Sequence, residues 1–316
     1  MRAAALLLML VLLPLSGMPR ADARVLEVGP GRPFALPSAA AVAARPGDVI
    51  RIAPGTYEDC AVWRANGIVI EGEDFERVIV GNRTCNEKGV FVISGNDVTV
   101  RGVTLTGARS ANANGAGIRA EGVNLTVEHV RFLRNENGIL YAGVTRGALI
   151  VRDSAFIGNG SCEQACAHGI YAGPLELLRL ERSHFLATRE GHHVKSRAFR
   201  TEVLDCHIED GPEGTASYLI DIPNGGAALV RGNRLSKGPR SGNRSTVISI
   251  GAEGLDRPTP EIRIESNVLT VDGSYRTVFV TNRTATPALL RGNKLPPTVT
   301  PLRGDGQVLS ESGTLR

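Results

Sequence analysis

The stretch from Gly115 to Asn135 reads GAGIRAEGVNLTVEHVRFLRN, and the chain then says nearly the same thing again: NGILYAGVTRGALIVRDSAFIGN over 137–159, HGIYAGPLELLRLERSHFLAT over 168–188, HHVKSRAFRTEVLDCHIED over 192–210 and YLIDIPNGGAALVRGNRLSK over 218–237. Weaker copies follow at VISIGAEG…IRIESNVL and VFVTNRTATPALLRGNKL. Each unit has a short alternating strand, a Gly-rich turn, a second strand and a corner closed by Phe, Leu or Ile. The first-strand residues Ile118, Ile139, Ile170, Val194, Ile220, Ile248 and Phe279 recur every 21 to 31 residues, the spacing of solenoid coils. No helix-period segment accompanies the strands, which excludes a leucine-rich repeat. The expectation is an all-β, single-domain parallel solenoid.

A second position recurs in the later strand of each unit: Ser154, Ser183, Cys206, Asn233, Asn267 and Asn293. Small and amide side chains stacked at one corner match an internal ladder, in which amides hydrogen-bond from coil to coil. This assigns the odd one of five cysteines: Cys206 is a buried structural thiol. Cys60 and Cys85 lie about one repeat apart, while Cys162 and Cys166 flank a short loop, so disulfides are expected within each pair. A metal site at the second pair is the alternative, but only His168 is near enough in sequence to serve as another ligand.

Strand side chains alternate between faces, so one inward residue assigns the others. With Ile118, Ile139, Ile170, Val194 and Ile220 inward, the residues after them, Arg119, Leu140, Tyr171, Lys195 and Asp221, form an outward column at about 4.8 Å per coil. Arg197 and His193 flank the lysine on the same face, and His192 turns inward beside His168 as a hydrogen-bonded core histidine. The opposite parity would bury Lys195 and Arg197 unpaired, at prohibitive cost. Leu140, Ala142, Gly173, Val247 and Val278 would floor a groove, and the connections 158–167, 209–216 and 235–244 would wall it. A Lys195–Asp221 surface ion pair of little energetic consequence is the plain alternative.

The segment PFALPSAAAVAARPGDVIRIAPGTYED resembles the N-terminal cap of the pectate-lyase-like right-handed parallel β-helix superfamily. The resemblance covers about Leu26 to Leu295. It implies a short helix near Ser38–Ala44 that hides the apolar end of the core, with the cap and first strand over 24–59, the β-helix over 24–295 and a C-terminal tail over 296–316. Residues 1–23, Met-Arg followed by an apolar run and then small residues, read as a cleavable secretory signal. The run is short of the roughly 20 residues of a membrane span and nothing later approaches that length. A secreted or periplasmic monomer, with no transmembrane segment after cleavage, is expected. The formal net charge is +4, almost all of it from arginine, with Lys only at 88, 195, 237 and 294. No basic block marks a nucleic-acid partner, and a thinly cationic surface suits an anionic substrate.

The string H-V-K-S-R-A, followed one coil later by G-T-A-S-Y-L-I-D-I-P-N-G-G, is similar to the catalytic coils of polysaccharide lyase family six. It is similar also to secreted bacterial β-helix proteins of unassigned activity. The lyase resemblance implies an acidic polysaccharide partner and β-elimination, with Lys195 in the base position and Ca2+ bound by nearby carboxylates, here Asp221. The family's arginine is replaced by Asp221, and Pro223-Asn224-Gly225-Gly226 stands where a basic turn would be. The proton donor must then be Arg197, His193 or Tyr171. Elimination needs a base, a cation on the substrate carboxylate and a donor for the leaving oxygen. The catalytic candidates are therefore Lys195, Arg197 and His193, and the substrate-binding candidates are Tyr171, Asp221, Asn224 and Arg119. Hydrolysis by two opposed carboxylates, chosen from Asp221, Glu190, Asp205 and Glu253, is the enzymatic rival. A glycan-binding protein without catalysis is the third reading. Glu253 by itself reads as a turn carboxylate.

Overall fold

A computed structural model describes residues 23–143, 145–312 and 314; the secretory-signal reading falls almost wholly outside them. The chain winds into a parallel β-helix whose strands form three sheets of twelve, ten and nine members. One coil runs from Val194–Ser196 in the ten-stranded sheet, through Arg200–Leu204 in the twelve-stranded sheet, to His207–Glu209 in the nine-stranded sheet. The next repeats it with Ile220–Ile222, Ala227–Arg231 and Arg234–Lys237. These are called below the second, first and third sheets, after the cap-proximal strand Val25–Val28 that opens the first.

The corner between first and third sheets shows how sequence imposes this path. His129, Asp153, Arg182, Asp205, Gly232, Ser266 and Gly292 all have positive φ, which turns the chain within a residue or two where an extended backbone could not. The residue after each of these is a ladder residue, except after His129, where Val130 opens the row by donating its amide to Ser154. Asn233 Oδ1 accepts from the Cys206 amide at 2.8 Å, Asn267 Oδ1 from the Asn233 amide at 3.0 Å, and Asn293 Oδ1 from the Asn267 amide at 3.0 Å. Their Nδ2 groups donate in turn to the Val203, Val230 and Ile264 carbonyls. Ser154 and Ser183 perform the accepting half of this role with their hydroxyls. The corner amides of Val130, Ser154, Cys206, Asn233 and Asn267 are thereby satisfied without water. Cys206 sits in this row as a buried free thiol, pushed up to about 12 by burial.

Inside, one-residue columns run the length of the helix. Leu105, Phe132, Phe156, Phe185, Ile208, Leu235 and Leu269 pair in register along the third sheet, and the three phenylalanine rings stack at 4.6 and 4.5 Å. The second sheet aligns Ile118, Ile139, Ile170, Val194, Ile220 and Ile248, all buried. The next member of that column is Val280 and not Phe279, because both strands at this end bury consecutive residues and alternation no longer marks the register. The helix Pro37–Ala43 buries Pro37, Ala40 and Ala41. Past Leu295 the chain does not leave the solenoid: Val299–Arg303 extends the second sheet and Gly306–Leu309 the first. Disulfides join Cys60 to Cys85 and Cys162 to Cys166, and no helix among the described residues is long and apolar enough to cross a membrane.

Two substitutions test this account. Asn267→Leu leaves the Asn233 amide and the Val230 carbonyl without partners in a buried row and is expected to cost roughly 2 to 4 kcal/mol in urea unfolding. Val194→Asp places an unpaired charge in an apolar column and is expected to prevent folding; a normal melting transition for it would overturn the inward register.

Candidate functional site

The outward column of the second sheet holds Arg119, Leu140, Tyr171, Lys195 and Asp221 as directly paired neighbours, and continues through Ser249 and Thr281. Lys195 leaves the strand for the surface yet is only 8% exposed, because a turn from two coils further on closes over it. That turn spans residues 251–256. Gly251 and Gly254 take φ of 75° and 114°, which lets it fold back, and the amides of Gly251 and Glu253 donate to the Ile222 and Pro223 carbonyls. Glu253 is thereby delivered to the cations.

Lys195 Nζ donates to Glu253 Oε1 at 2.6 Å and lies 3.5 Å from Asp221 Oδ2. Arg197 Nη2 donates to the other Glu253 oxygen at 2.5 Å, its Nε donates to the Tyr171 hydroxyl at 2.8 Å, and its Nη1 donates to Asn224 Oδ1. The guanidinium carbon stands 5.7 Å from the Tyr171 ring centroid. Asn224 Nδ2 completes the group by donating to Asp256 Oδ2 at 2.9 Å. Burial works against the Glu253 charge, but the hydrogen bonds from Lys195 and Arg197 outweigh it and hold its carboxyl below the ordinary value. One carboxylate thus bridges two cations beside an aromatic ring.

Behind this cluster runs an aromatic stack. Tyr171, His168, His192 and Tyr218 follow one another with centroid distances of 5.6, 5.0 and 5.0 Å. The His192 amide donates to His168 Nδ1 at 2.9 Å and the Tyr218 amide to His192 Nδ1 at 3.1 Å. Both Nδ1 atoms therefore accept, and each neutral ring carries its proton on Nε2. Burial holds His168 well below its ordinary value, and burial with the Lys195 charge lowers His192 to about 3. The 3.5 Å approach of His192 Nε2 to Asp221 Oδ2 is accordingly a contact between a neutral ring and a carboxyl group, not an ion pair. Asp221 is 2% exposed. Burial pushes its carboxyl up to about 6 against the opposing pull of Lys195, and its Oδ1 has no hydrogen-bond partner among the described residues.

His192 stacks beside His168 and is hydrogen-bonded as expected, but His193 does not flank the lysine. His192 borders the cluster, whereas His193 is fully buried, with Thr188 Oγ1 at 2.8 Å from Nδ1 and Asp210 Oδ1 at 2.9 Å from Nε2. The strand begins only at Val194, so alternation does not extend back to His193, whose ring turns under the connection that follows Asp210. Other expectations also move. Val247 and Val278 are buried, and Ser249 and Thr281 take the outward positions beyond Asp221. The connections expected to wall the groove contribute Gly160, Ser161, Glu163, Glu213, Thr215 and Arg240 to a separate cleft of about 540 Å3, which none of Tyr171, Lys195 and Arg197 lines. Arg119 is separated from Tyr171 by the Leu140 coil and approaches Glu121 at 3.6 Å. Glu253, a hydrolysis candidate in the sequence and by itself a turn carboxylate, is the residue that joins the cations, and Asp256 and Tyr218 are not marked by the sequence repeats. A turn with two glycines and two carboxylates, following a strand in the charged column, is the signal for Glu253 and Asp256.

The donor set does not fit calcium. Asp221 Oδ2 and Glu253 Oε1 face Lys195 Nζ, and Glu253 Oε2 and the Asn224 oxygen accept from Arg197. Asp221 Oδ1 alone of these is unpartnered among the described residues, and one free oxygen beside two cations does not make the shell of six to eight oxygens that the ion takes.

The Asp221 shift has a testable sign. The folded protein holds this proton more tightly than the unfolded chain, so the contribution is fully present below about pH 4 and is lost as pH rises through about 6. Asp221→Asn removes the dependence. Its stability relative to wild type is expected to increase between pH 4 and pH 7 by about 2 to 3 kcal/mol, read from urea unfolding at both values; the same difference at both would contradict the burial argument.

No protein-family model and no curated protein matches the chain. Among solved structures it is similar to an alginate lyase from Paenibacillus sp. str. FPU-7, with a TM-score of 0.60 and 15% identity over 90% of this chain and 99% of the lyase. It is similar also to the ORF18 protein of Geobacillus virus E2, with a TM-score of 0.50 and 11% identity over 83% of this chain and 53% of the viral one. These likenesses are of fold: the chain is a parallel β-helix.

Proposed function

We propose that the protein takes up an acidic polysaccharide across the outward face of the second sheet and cleaves it by β-elimination at Tyr171, Lys195 and Arg197. The observation that carries the reading is the bridging of Lys195 and Arg197 by a single carboxylate, Glu253, beside the Tyr171 ring. That is the arrangement a uronate carboxylate would require. Glu253, on a turn and 44% exposed at its side chain, can yield the place to it. The similarity in fold to an alginate lyase over nearly its whole length accords with this substrate class.

Elimination removes the proton at C5, forms the C4–C5 double bond and breaks the C4–O bond, whose oxygen then takes a proton. Two observations favour Tyr171 as the base and Lys195 as the donor, the reverse of the role that the sequence resemblance implies for the lysine. The Tyr171 oxygen accepts a charge-assisted hydrogen bond from Arg197 at 2.8 Å, which supports negative charge on that oxygen. Lys195 is held by two carboxylates, so it enters the reaction with a proton to give. Arg197 and the displaced position of Glu253 receive the substrate carboxylate, whose charge must be countered as the C5 carbanion develops. His193, buried in its own hydrogen bonds, takes no part. Hydrolysis is less well supported: Asp221 and Glu253 share one ammonium, Glu190 accepts from the Cys162 amide, and Asp205 lies at the far corner.

The test is absorbance near 235 nm from unsaturated uronate ends on a panel of alginate, pectate and glycosaminoglycans. A signal with wild type, lowered at least about 100-fold in Tyr171→Phe and in Lys195→Ala with melting unchanged, is the expected result. No signal on any substrate, with binding retained on a polysaccharide gel, would replace the lyase with the glycan-binding reading. The observation behind that second reading is that Lys195 is already neutralised by Glu253 and Asp221. Both readings share one outcome. Glu253→Gln removes the competing charge and is expected to tighten binding of the acidic chain several-fold, measured by calorimetry at low salt; weakened binding would mean that Glu253 contacts the ligand instead of making way for it.

A further inference from the structure

On the outward face of the third sheet, remote in the coil from Lys195, His184 and His207 occupy the same position of consecutive coils. Phe185 and Ile208, their neighbours in sequence, point into the core, which fixes both imidazoles outside. The rings stack at 4.8 Å and 12°. Glu209, two residues after His207 and therefore on the same face, reaches both: its Oε1 lies 2.8 Å from His184 Nε2 and its Oε2 3.5 Å from His207 Nε2. The three ligand atoms fall within 4.8 Å of one another.

From this juxtaposition we infer that His184, His207 and Glu209 form a binding site for a borderline transition-metal ion, Zn2+ in the first place. Two imidazoles and a carboxylate are a donor set that suits zinc and its neighbours and disfavours calcium or magnesium, which demand oxygens. Metal–ligand distances of about 2.0 to 2.1 Å at a tetrahedral centre put ligand atoms roughly 3.3 Å apart, and the two measured separations to Glu209 bracket that value. No backbone rearrangement is needed, since the three residues stand on paired strands and not on loops; the two stacked rings must rotate about their side-chain bonds to converge both Nε2 lone pairs on one ion. The side chains of His184 and His207 are 40% and 46% exposed, so an ion has direct access and at least one coordination position is left for water or an anionic oxygen. Arg234 follows His207 in the next coil of the column; its charge opposes the ion but would favour an anion on the open position.

The experiment is calorimetric titration of the full chain, freed of metal with EDTA, with ZnCl2, and with CaCl2 as the control. The expected result is one saturable Zn2+ per chain and none for Ca2+. Binding should weaken at least tenfold in His184→Ala, His207→Ala and Glu209→Gln. It should weaken also between pH 7.5 and 5.5 in wild type, because protons compete for the imidazoles. A rise in melting temperature with Zn2+, lost in the same variants, is the second readout. All three residues project outward, so the variants are expected to melt as wild type does without metal. The absence of saturable Zn2+ binding, or binding that survives all three substitutions, would overturn the inference.

Discussion

A parallel coil can stack on the next only if every strand meets its neighbour in register, and here that register is locked where the first sheet turns into the third. A residue of positive φ makes the corner, and the side chain after it bonds to the coils on either side. The asparagine amide suits this place because it carries acceptor and donor on one short planar group: it takes an amide of the preceding coil, returns a proton to a carbonyl of that same coil, and donates also to the asparagine of the next. A corner without such a residue would bury an amide and a carbonyl unpaired, at about 1 to 3 kcal/mol each. The serines and Cys206 in the same row supply only part of that bonding, and the buried columns of phenylalanine and aliphatic side chains complete the hold on those coils.

This lock is also what makes a surface of the second sheet predictable. Once the inward column is set, Tyr171, Lys195 and Asp221 must be direct neighbours on the outward face, because a one-residue slip would send an isoleucine out and a lysine in. The strands are the rigid member of the site and the turns are the adjustable one. Tyr171 and Asp221 stand on strands and Arg197 directly follows one, whereas Glu253, Asn224 and Asp256 come from turns that lean on one another. The same logic places His184, His207 and Glu209 on a different sheet without any long-range coincidence.

What could be read from the sequence follows this division. Repeats, the ladder with Cys206 in it, both disulfide pairs and the order of the outward column follow from period-two alternation and from spacing, because parallel stacking maps sequence position directly onto space. The failures lie where alternation stops. His192 and His193 precede the first strand residue, so parity carried back from Val194 puts His193 on the wrong face, although His192 does stand beside His168. Phe279 was set one place out of register because Val278, Phe279 and Val280 are all buried. Pro296 to Leu309 lacks the Gly-Asn punctuation of the earlier coils and read as a tail, though its backbone still finds sheet edges to extend. Glu253 reaches Lys195 from 58 residues away, on a turn whose path no periodicity encodes.

The charge balance of the cluster constrains how it can work. Burial keeps His168 and His192 neutral, so the cations available to a ligand are Lys195 and Arg197, and Glu253 neutralises both from an accessible position. An incoming carboxylate that displaced Glu253 would leave the number of ion pairs unchanged, so that exchange contributes little net electrostatic energy. Affinity in the proposed reading must then come from what Glu253 cannot offer: contact of a sugar ring with Tyr171, hydrogen bonds to Asn224 and neighbouring turns, and repetition of these contacts along a polymer. A free monosaccharide acid would gain little over the resident side chain. In that reading the carboxylate is recognised as part of a chain laid across several coils, and that is the geometry a solenoid supplies.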